Sequence, residues 1–203
     1  MRLYERYILP HLIDFACGMG EVMKARATVV PQARGKVLEI GIGSGLNLEF
    51  YAPAHVSLIV GVDPCTEMQR LGHERATRIA IPVEMIALEL NQIQAADASF
   101  DSIVCTFTLC TIPDALAALK DMRRVLKPGG RLLFCEHGLA PDASIVRWQH
   151  RLTPYWKPLA GGCHLNRDIP ALIESGGFTL GALSRRYLKG PKPMTYVYSG
   201  WAD

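Results

Sequence analysis

The sequence predicts an α/β fold: a doubly wound, mostly parallel seven-stranded sheet with an antiparallel edge hairpin. Three observations predict it. Short apolar runs alternate with segments of helical period between residues 36 and 137. The runs are apolar on successive residues, as buried strands flanked by helices on both faces require. Two strand-like runs, FTLGALSRRYL (178–188) and MTYVYSGWA (194–202), close the chain and can pair as an edge hairpin.

The elements follow in order. Residues 2–30 carry Leu3, Tyr7, Leu12, Phe15, Met19 and Val22 at rough helical spacing, interrupted near Pro10 and by Gly18 and Gly20. VLEIG (37–41) is a short strand running into glycines, and LNLEFYA (46–52) is expected to begin a helix. SLIVGVD (57–63) is a second strand, TEMQRLGHERAT (66–77) a helix, and VEMIAL (83–88) a third strand. A fourth strand is expected over about 101–107. DALAALKDMRRVL is an amphipathic helix, with Leu116, Leu119, Met122, Val125 and Leu126 expected on one face. KPGG stops it, since Pro128 cannot continue a helix and Gly129 or Gly130 permits a tight turn. RLLFCEH (131–137) is the fifth strand. Beyond it ASIVRWQHRLTPYWK is aromatic and basic, and IPALIESGGF reads as a helix with a glycine stop. With no linker or repeat, residues 1–203 form one domain, with a helical lid over 1–30 and a substrate-side insert over 138–170.

Composition narrows the function. Apolar residues make up 49% and charged residues 20%, enough for a packed core. A net charge of +3 with no Lys/Arg block does not point to nucleic acid. No apolar run reaches the ~18 residues of a membrane span, and MRLYERYILP does not read as a signal peptide. The six cysteines form no CxxC pair, so most read as buried free thiols in a reducing compartment. The expectation is a soluble cytoplasmic protein. Mixed charges on the first helix leave room for weak contact with a membrane surface and no more.

The chemistry starts at KVLEIGIGSGLNLEFY. Gly41, Gly43 and Gly45 follow a strand, where bare backbone lets a ligand come close to N–H groups. Leu46 stands where a dinucleotide fingerprint needs its last glycine, and no Gly-Lys-Ser/Thr follows for a P-loop. Glu39 at the loop entry would repel a pyrophosphate and attract an ammonium or sulfonium. Asp63 closes the second strand, where a carboxylate can take both hydroxyls of a ribose. Its plainer reading is a helix cap. Glu89 follows the third strand near the expected adenine edge, or is a solvated loop acid.

E-I-G-I-G-S-G followed by V-D at the next strand end resembles the cofactor motif of class I S-adenosylmethionine-dependent methyltransferases. FDSIVCTFTLCTIPD and LKDMRRVLKPGGRLLFCEH are similar to that family's fourth strand, following helix and fifth strand, so the likeness spans roughly 35–137. The resemblance implies a Rossmann-like methyltransferase fold and S-adenosylmethionine as cofactor, leaving as S-adenosylhomocysteine. It implies that Gly41, Gly43 and Gly45 line the cofactor, Asp63 takes the ribose, Leu88 and Glu89 flank adenine, and Thr106 faces the methionine end. ALELNQI departs from the family's usual residues at the adenine edge. YERYILPHLIDFACG, VCTFTLCTIPD and RWQHRLTPYWKPLAGGCHLNRDI are similar to the methyltransferase-like 7 group, which contains thiol S-methyltransferases. Vertebrate members carry an N-terminal membrane anchor, which this chain is expected to lack.

Methyl transfer from a sulfonium is an in-line displacement, so positioning supplies much of the rate. A thiol acceptor, with a free pKa of ~8.5, needs little help to ionise. A nearby imidazole or cation suffices. Candidates lie where the strands' carboxyl ends open: His137 and His164 as base, and Arg167 as a field favouring thiolate. Each histidine could equally be a structural hydrogen bonder, and Arg167 could pair with Asp168 or Glu174. Cys163 next to His164 has no second close pair to suggest zinc. Tyr4 and Tyr7 are expected to cover the cofactor as a lid. The leading expectation is S-methylation of a small-molecule thiol. The alternatives are N- or O-methylation of a small molecule or lipid headgroup, and a non-catalytic protein that binds the cofactor.

Overall fold

The computed structural model describes residues 2–87 and 93–203. Its core is one sheet of seven strands in the order β3-β2-β1-β4-β5-β7-β6. These strands are β1 (Gly35–Ile40), β2 (Val56–Val62), β3 (Val83–Ile86), β4 (Phe100–Thr106), β5 (Leu126–His137), β6 (Leu180–Tyr187) and β7 (Tyr196–Ala202). The first five run parallel, and β7 and β6 form the antiparallel edge. β1 pairs with both β2 and β4, so chain order reverses direction across the sheet there. Ligands in such sheets bind outside the carboxyl ends of the strands at that switch point. Val37, Leu38, Ile40, Ile103, Val104, Leu132 and Leu133 are fully buried between the two helical layers.

The N-terminal segment is three helices, α1 (Arg2–Tyr7), α2 (Leu9–Cys17) and α3 (Gly20–Val29). α2 ends at Gly18, whose N–H bonds the Asp14 carbonyl at 2.8 Å. After β1 no α-helix forms. Residues 48–50 make a 3₁₀ turn instead. The side chains of Asn47 and Tyr51 are drawn inward onto Glu39, and Pro53 lacks the N–H a longer helix would need. α4 (Thr66–Ala76) follows β2, and α5 (Ala115–Val125) follows β4.

Asp114 caps α5, accepting from the Ala117 N–H at 3.0 Å. The buried face of α5 is Ala115, Ala118, Leu119, Met122 and Val125, whereas Leu116 faces outward. Two small alanines let the helix approach the sheet, and the i, i+3, i+4 pattern centres on Leu119. α6 (Ala143–Leu159) gives the insert a long helix with Pro154 and Pro158 inside it, and α7 (Ile169–Ser175) is capped by Asp168. Trp148 and Tyr155 on α6 are exposed, so the insert's aromatic residues are not a shared core. Among the described residues no helix is long and apolar enough to cross a membrane.

Candidate active site

A cavity of about 250 Å³ opens at the switch point. The glycine loop forms its floor. Gly41, Gly43 and Gly45 all have left-handed backbones, with φ of 71°, 52° and 76°. Gly41 and Gly43 are on the wall. A Cβ on Gly41 would overlap the Thr108 side chain, and one on Gly43 would come within 3.3 Å of the Met68 methyl. Gly45 is not on the wall. It is bare so that Leu48 and Gly72 can pack against it, the nearest backbone atom lying 3.3 Å from where its Cβ would be.

Asp63 lines the cavity just past β2. One carboxylate oxygen accepts from the Gly43 N–H at 3.0 Å and the other from the Cys65 N–H at 2.8 Å. Burial raises its pKa above the ordinary aspartate value, against the pull of those two N–H groups. Its spare lone pairs face the cavity, which suits a diol. Leu88 and Glu89, expected at the adenine edge, lie outside the described residues.

Glu39 sits beneath the loop rather than on the cavity wall. It is 1% exposed, and its oxygens accept from Tyr51 Oη at 2.7 Å and Asn47 Nδ2 at 2.9 Å. Burial pushes its carboxyl up to about 7, against those two hydrogen bonds. The cation of this region is Arg26, on α3, which the sequence pattern did not single out. Its Nη1 donates to Asn47 Oδ1 at 2.9 Å and to Thr106 Oγ1 at 2.5 Å. Its Nε is buried and has no partner. The Arg26 guanidinium is on the cavity wall, a cation placed to receive a ligand's anion. A 3.6-residue period hides this signal, because an arginine on an apolar helix reads as solvent-facing.

The far wall is the segment after β4. Thr106, Phe107, Thr108 and Thr111 line it. Phe107 has φ of 53°, unusual for a residue with a Cβ and typical of strained functional turns. Glu136, at the end of β5, lies behind this turn and accepts from the Thr108 N–H at 2.9 Å. It is fully buried, its Oε2 has no partner, and burial pushes it up to about 7.

The lid is α2. Leu9, Pro10, Ile13 and Cys17 line the cavity, whereas Tyr7 is exposed and Tyr4 donates its hydroxyl to the Leu159 carbonyl at 2.7 Å. Tyr4 therefore anchors α1 to α6 and does not cover the ligand space. Asp14 latches the lid. It accepts from Ser44 Oγ of the glycine loop at 2.5 Å and from Arg75 Nη1 of α4 at 2.8 Å.

His137, His164 and Arg167 gather behind the Thr108–Thr111 wall, and none of them lines the cavity. His137 ends β5 with its Nδ1 4.0 Å from Cys163 Sγ and its Nε2 unpartnered. His164 Nδ1 meets the Cys110 carbonyl at 3.1 Å, so Nδ1 carries the proton and Nε2 the lone pair. Burial and the Arg167 charge lower its pKa. Arg167 donates to the Leu109 carbonyl rather than to Asp168 or Glu174.

This arrangement suits S-adenosylmethionine: a bare loop for close approach, Asp63 for a ribose, and an unclaimed Arg26 N–H for a carboxylate. A family model described as a methyltransferase domain matches residues 38–134. The thiol S-methyltransferase TMT1B of Homo sapiens is 33% identical over 83% of this chain and 69% of its own length. TMT1B of Rattus norvegicus is 37% identical over 70% of this chain, which spans 59% of the rat protein. Among solved structures, a SAM-dependent methyltransferase from Leishmania major has the same fold, with a TM-score of 0.71 at 15% identity, covering 98% of this chain and 80% of that one. The fold agrees with these likenesses: the chain belongs to the class I S-adenosylmethionine-dependent methyltransferases, in the group of the thiol S-methyltransferases TMT1A and TMT1B.

Proposed function

We propose that this protein transfers the methyl group of S-adenosylmethionine to the sulfur of a small, apolar thiol. The observation that carries the acceptor class is the charge of the cavity wall. Asp63 is its one carboxylate and Arg26 its one cation among the described residues. The wall away from Asp63, made by Leu9, Pro10, Ile13, Cys17, Thr111 and Gly161, carries no acid. The nearby acids are off that wall: Glu39 and Glu136 are buried, and Asp14 is held by Ser44 and Arg75. An amine with a pKa near ~10 would arrive protonated and find no carboxylate on that wall to hold its charge. A thiol, at ~8.5, arrives neutral, suits apolar walls and ionises readily beside Arg26, the wall's one cation.

The cofactor supplies an electrophilic methyl on a sulfonium. In this reading the chain supplies the rest. Gly41 and Gly43 let the methionine moiety lie close to the loop, Asp63 takes the ribose, and Arg26 Nε takes the carboxylate. Thr106 and Asn47 hold Arg26 in place. The lid excludes water, and His164 and Arg167, behind the Thr108–Thr111 wall rather than on it, are the proposed base and the field favouring thiolate. Leu88 and Glu89 remain the proposed adenine contacts.

The test is methyl transfer from labelled S-adenosylmethionine to a panel of thiols, amines and catechols, with Asp63→Ala alongside. Transfer to apolar thiols that collapses in the variant supports the reading. Transfer confined to amines or oxygens overturns the acceptor class. Cofactor binding with no transfer to any acceptor favours a binding protein.

A further inference from the structure

Three side chains from distant parts of the chain converge behind the Thr108–Thr111 wall and have no part in the reading above. Cys110 follows β4, His137 ends β5 and Cys163 follows α6. Their two sulfurs and one ring nitrogen all lie within 4.8 Å of one another. Cys110 is buried, His137 is buried and Cys163 is partly so. The backbone around them is fixed. The His164 N–H bonds the Cys110 carbonyl at 2.8 Å, the Cys163 N–H bonds the Ala160 carbonyl at 3.2 Å, and His137 is paired with Val197 in the sheet.

Two thiols and an imidazole form a borderline-soft donor set. Tetrahedral zinc holds sulfur at ~2.3 Å and nitrogen at ~2.0–2.1 Å, which sets the ligand atoms roughly 3.6–3.8 Å apart. The observed Cys163–His137 edge of 4.0 Å needs only a small contraction to reach this. The ring already turns Nδ1 rather than Nε2 toward the sulfur. Glu136 accepts from the N–H of Thr108, two residues before Cys110, so a buried carboxylate stands near the site to offset a cation's charge. Three protein ligands leave the fourth position open, as at catalytic rather than structural zinc sites. Thr111 and Gly161, neighbours of Cys110 and Cys163 along the chain, are on the cavity wall.

We propose that Cys110, His137 and Cys163 bind a divalent cation of the zinc class, with the open position directed to the acceptor end of the cavity. The consequence for chemistry rests on the thiol reading above. The acceptor's S–H bond breaks, its proton passes to His164 Nε2, and the thiolate occupies the fourth position. Its lone pair then forms the new carbon–sulfur bond as the sulfonium's carbon–sulfur bond breaks and that pair returns to the leaving sulfur. Product thioether is a weaker ligand than thiolate, so it leaves the cation.

The experiment reads metal without cofactor or acceptor. Reduced, chelator-treated protein is titrated with Co²⁺. One equivalent should bind, with a thiolate-to-cobalt charge-transfer band and the visible bands of tetrahedral Co²⁺, and Zn²⁺ should displace it. Cys163→Ala and His137→Asn should each weaken uptake at least tenfold, and His150→Ala should leave it unchanged. Circular dichroism checks that each variant is folded. Folded, reduced wild-type protein that takes up no stoichiometric Co²⁺ overturns the site, as does uptake that survives both variants. A Cys110–Cys163 disulfide in protein isolated without oxidant also overturns it. Metal-free protein that still methylates thiols overturns the cation's part in the transfer and leaves the thiol reading standing. Metal uptake without thiol transfer does the reverse.

Discussion

Arg26→Met isolates the proposed carboxylate contact. Arg26 is 5% exposed and spends one nitrogen on Asn47 and Thr106, while its Nε has no partner in the protein. A hydrogen bond to a charged group contributes about 1.5–3 kcal/mol. Losing one such bond to the ligand carboxylate should weaken binding about 10- to 150-fold. The assay is calorimetric titration with S-adenosylhomocysteine and with its analogue lacking the carboxylate. Met preserves most of the side-chain volume, but it strands Asn47 Oδ1 and one donor to Thr106. A general disturbance of the loop would therefore weaken both ligands. The expected result is selective: a large loss for the carboxylate ligand and less than a threefold loss for the analogue. Arg26→Lys should recover part of the charge without the fork geometry. Equal losses for the two ligands would refute the assignment and leave Arg26 as a support for the loop.

Two further predictions follow from the buried acids and the lid. Glu136 has its folded-state pKa raised from 4.5 to about 7 by burial. The folded state therefore binds more protons than the unfolded state between those values, and stability falls as pH rises through that window, by about 3 kcal/mol if the full shift is realised. Glu136→Gln removes this dependence, so urea titrations at pH 5 and pH 8 should show the variant gaining on wild type at the higher pH. A gap that does not change with pH would refute the burial argument. Asp14→Ala removes the acceptor that joins Ser44 of the glycine loop to Arg75 of α4. Cofactor should then dissociate several-fold faster in stopped-flow, with little change in the rate of binding, and an unchanged dissociation rate would show that α2 is held by packing alone.

The sheet was legible because most strands are apolar runs bounded by turn residues; each forms near its expected place, except that β5 begins at Leu126 and takes in the KPGG expected as a turn. The glycine loop and Asp63 were legible because turn chemistry and strand ends are local. What failed was set by contacts across the chain. LNLEFYA has helical residues, yet Asn47 and Tyr51 turn in to satisfy a buried Glu39. Glu39 reads as a ligand-facing acid only when its neighbours are unknown. Leu116 and Leu119 look alike in a helical wheel until the sheet takes Ala115, Ala118 and Leu119. Arg26 lies 80 residues from Thr106, and no spacing rule connects them. Within the segment expected as a lid, Pro10, Ile13 and Cys17 reach the cavity, and Tyr4 reaches Leu159 instead.

The two buried glutamates have the same physical task on either side of the switch point. Glu39 is the penultimate residue of its strand, under the glycine loop, and Glu136 that of its strand, under the Phe107–Thr108 turn. Each takes hydrogen bonds from the segment above it, and each is pushed up to about 7 by the burial this requires. Apolar residues at these positions would avoid that penalty, but they would leave Asn47, Tyr51 and the Thr108 N–H without acceptors. The ligand-facing backbone would then lose its anchor on both sides. Arg26 is the link between the halves, since Asn47 belongs to the first loop and Thr106 to the second strand end. A ligand carboxylate that occupies Arg26 Nε therefore meets a cation already held from both sides, and binding need order only the ligand and the lid.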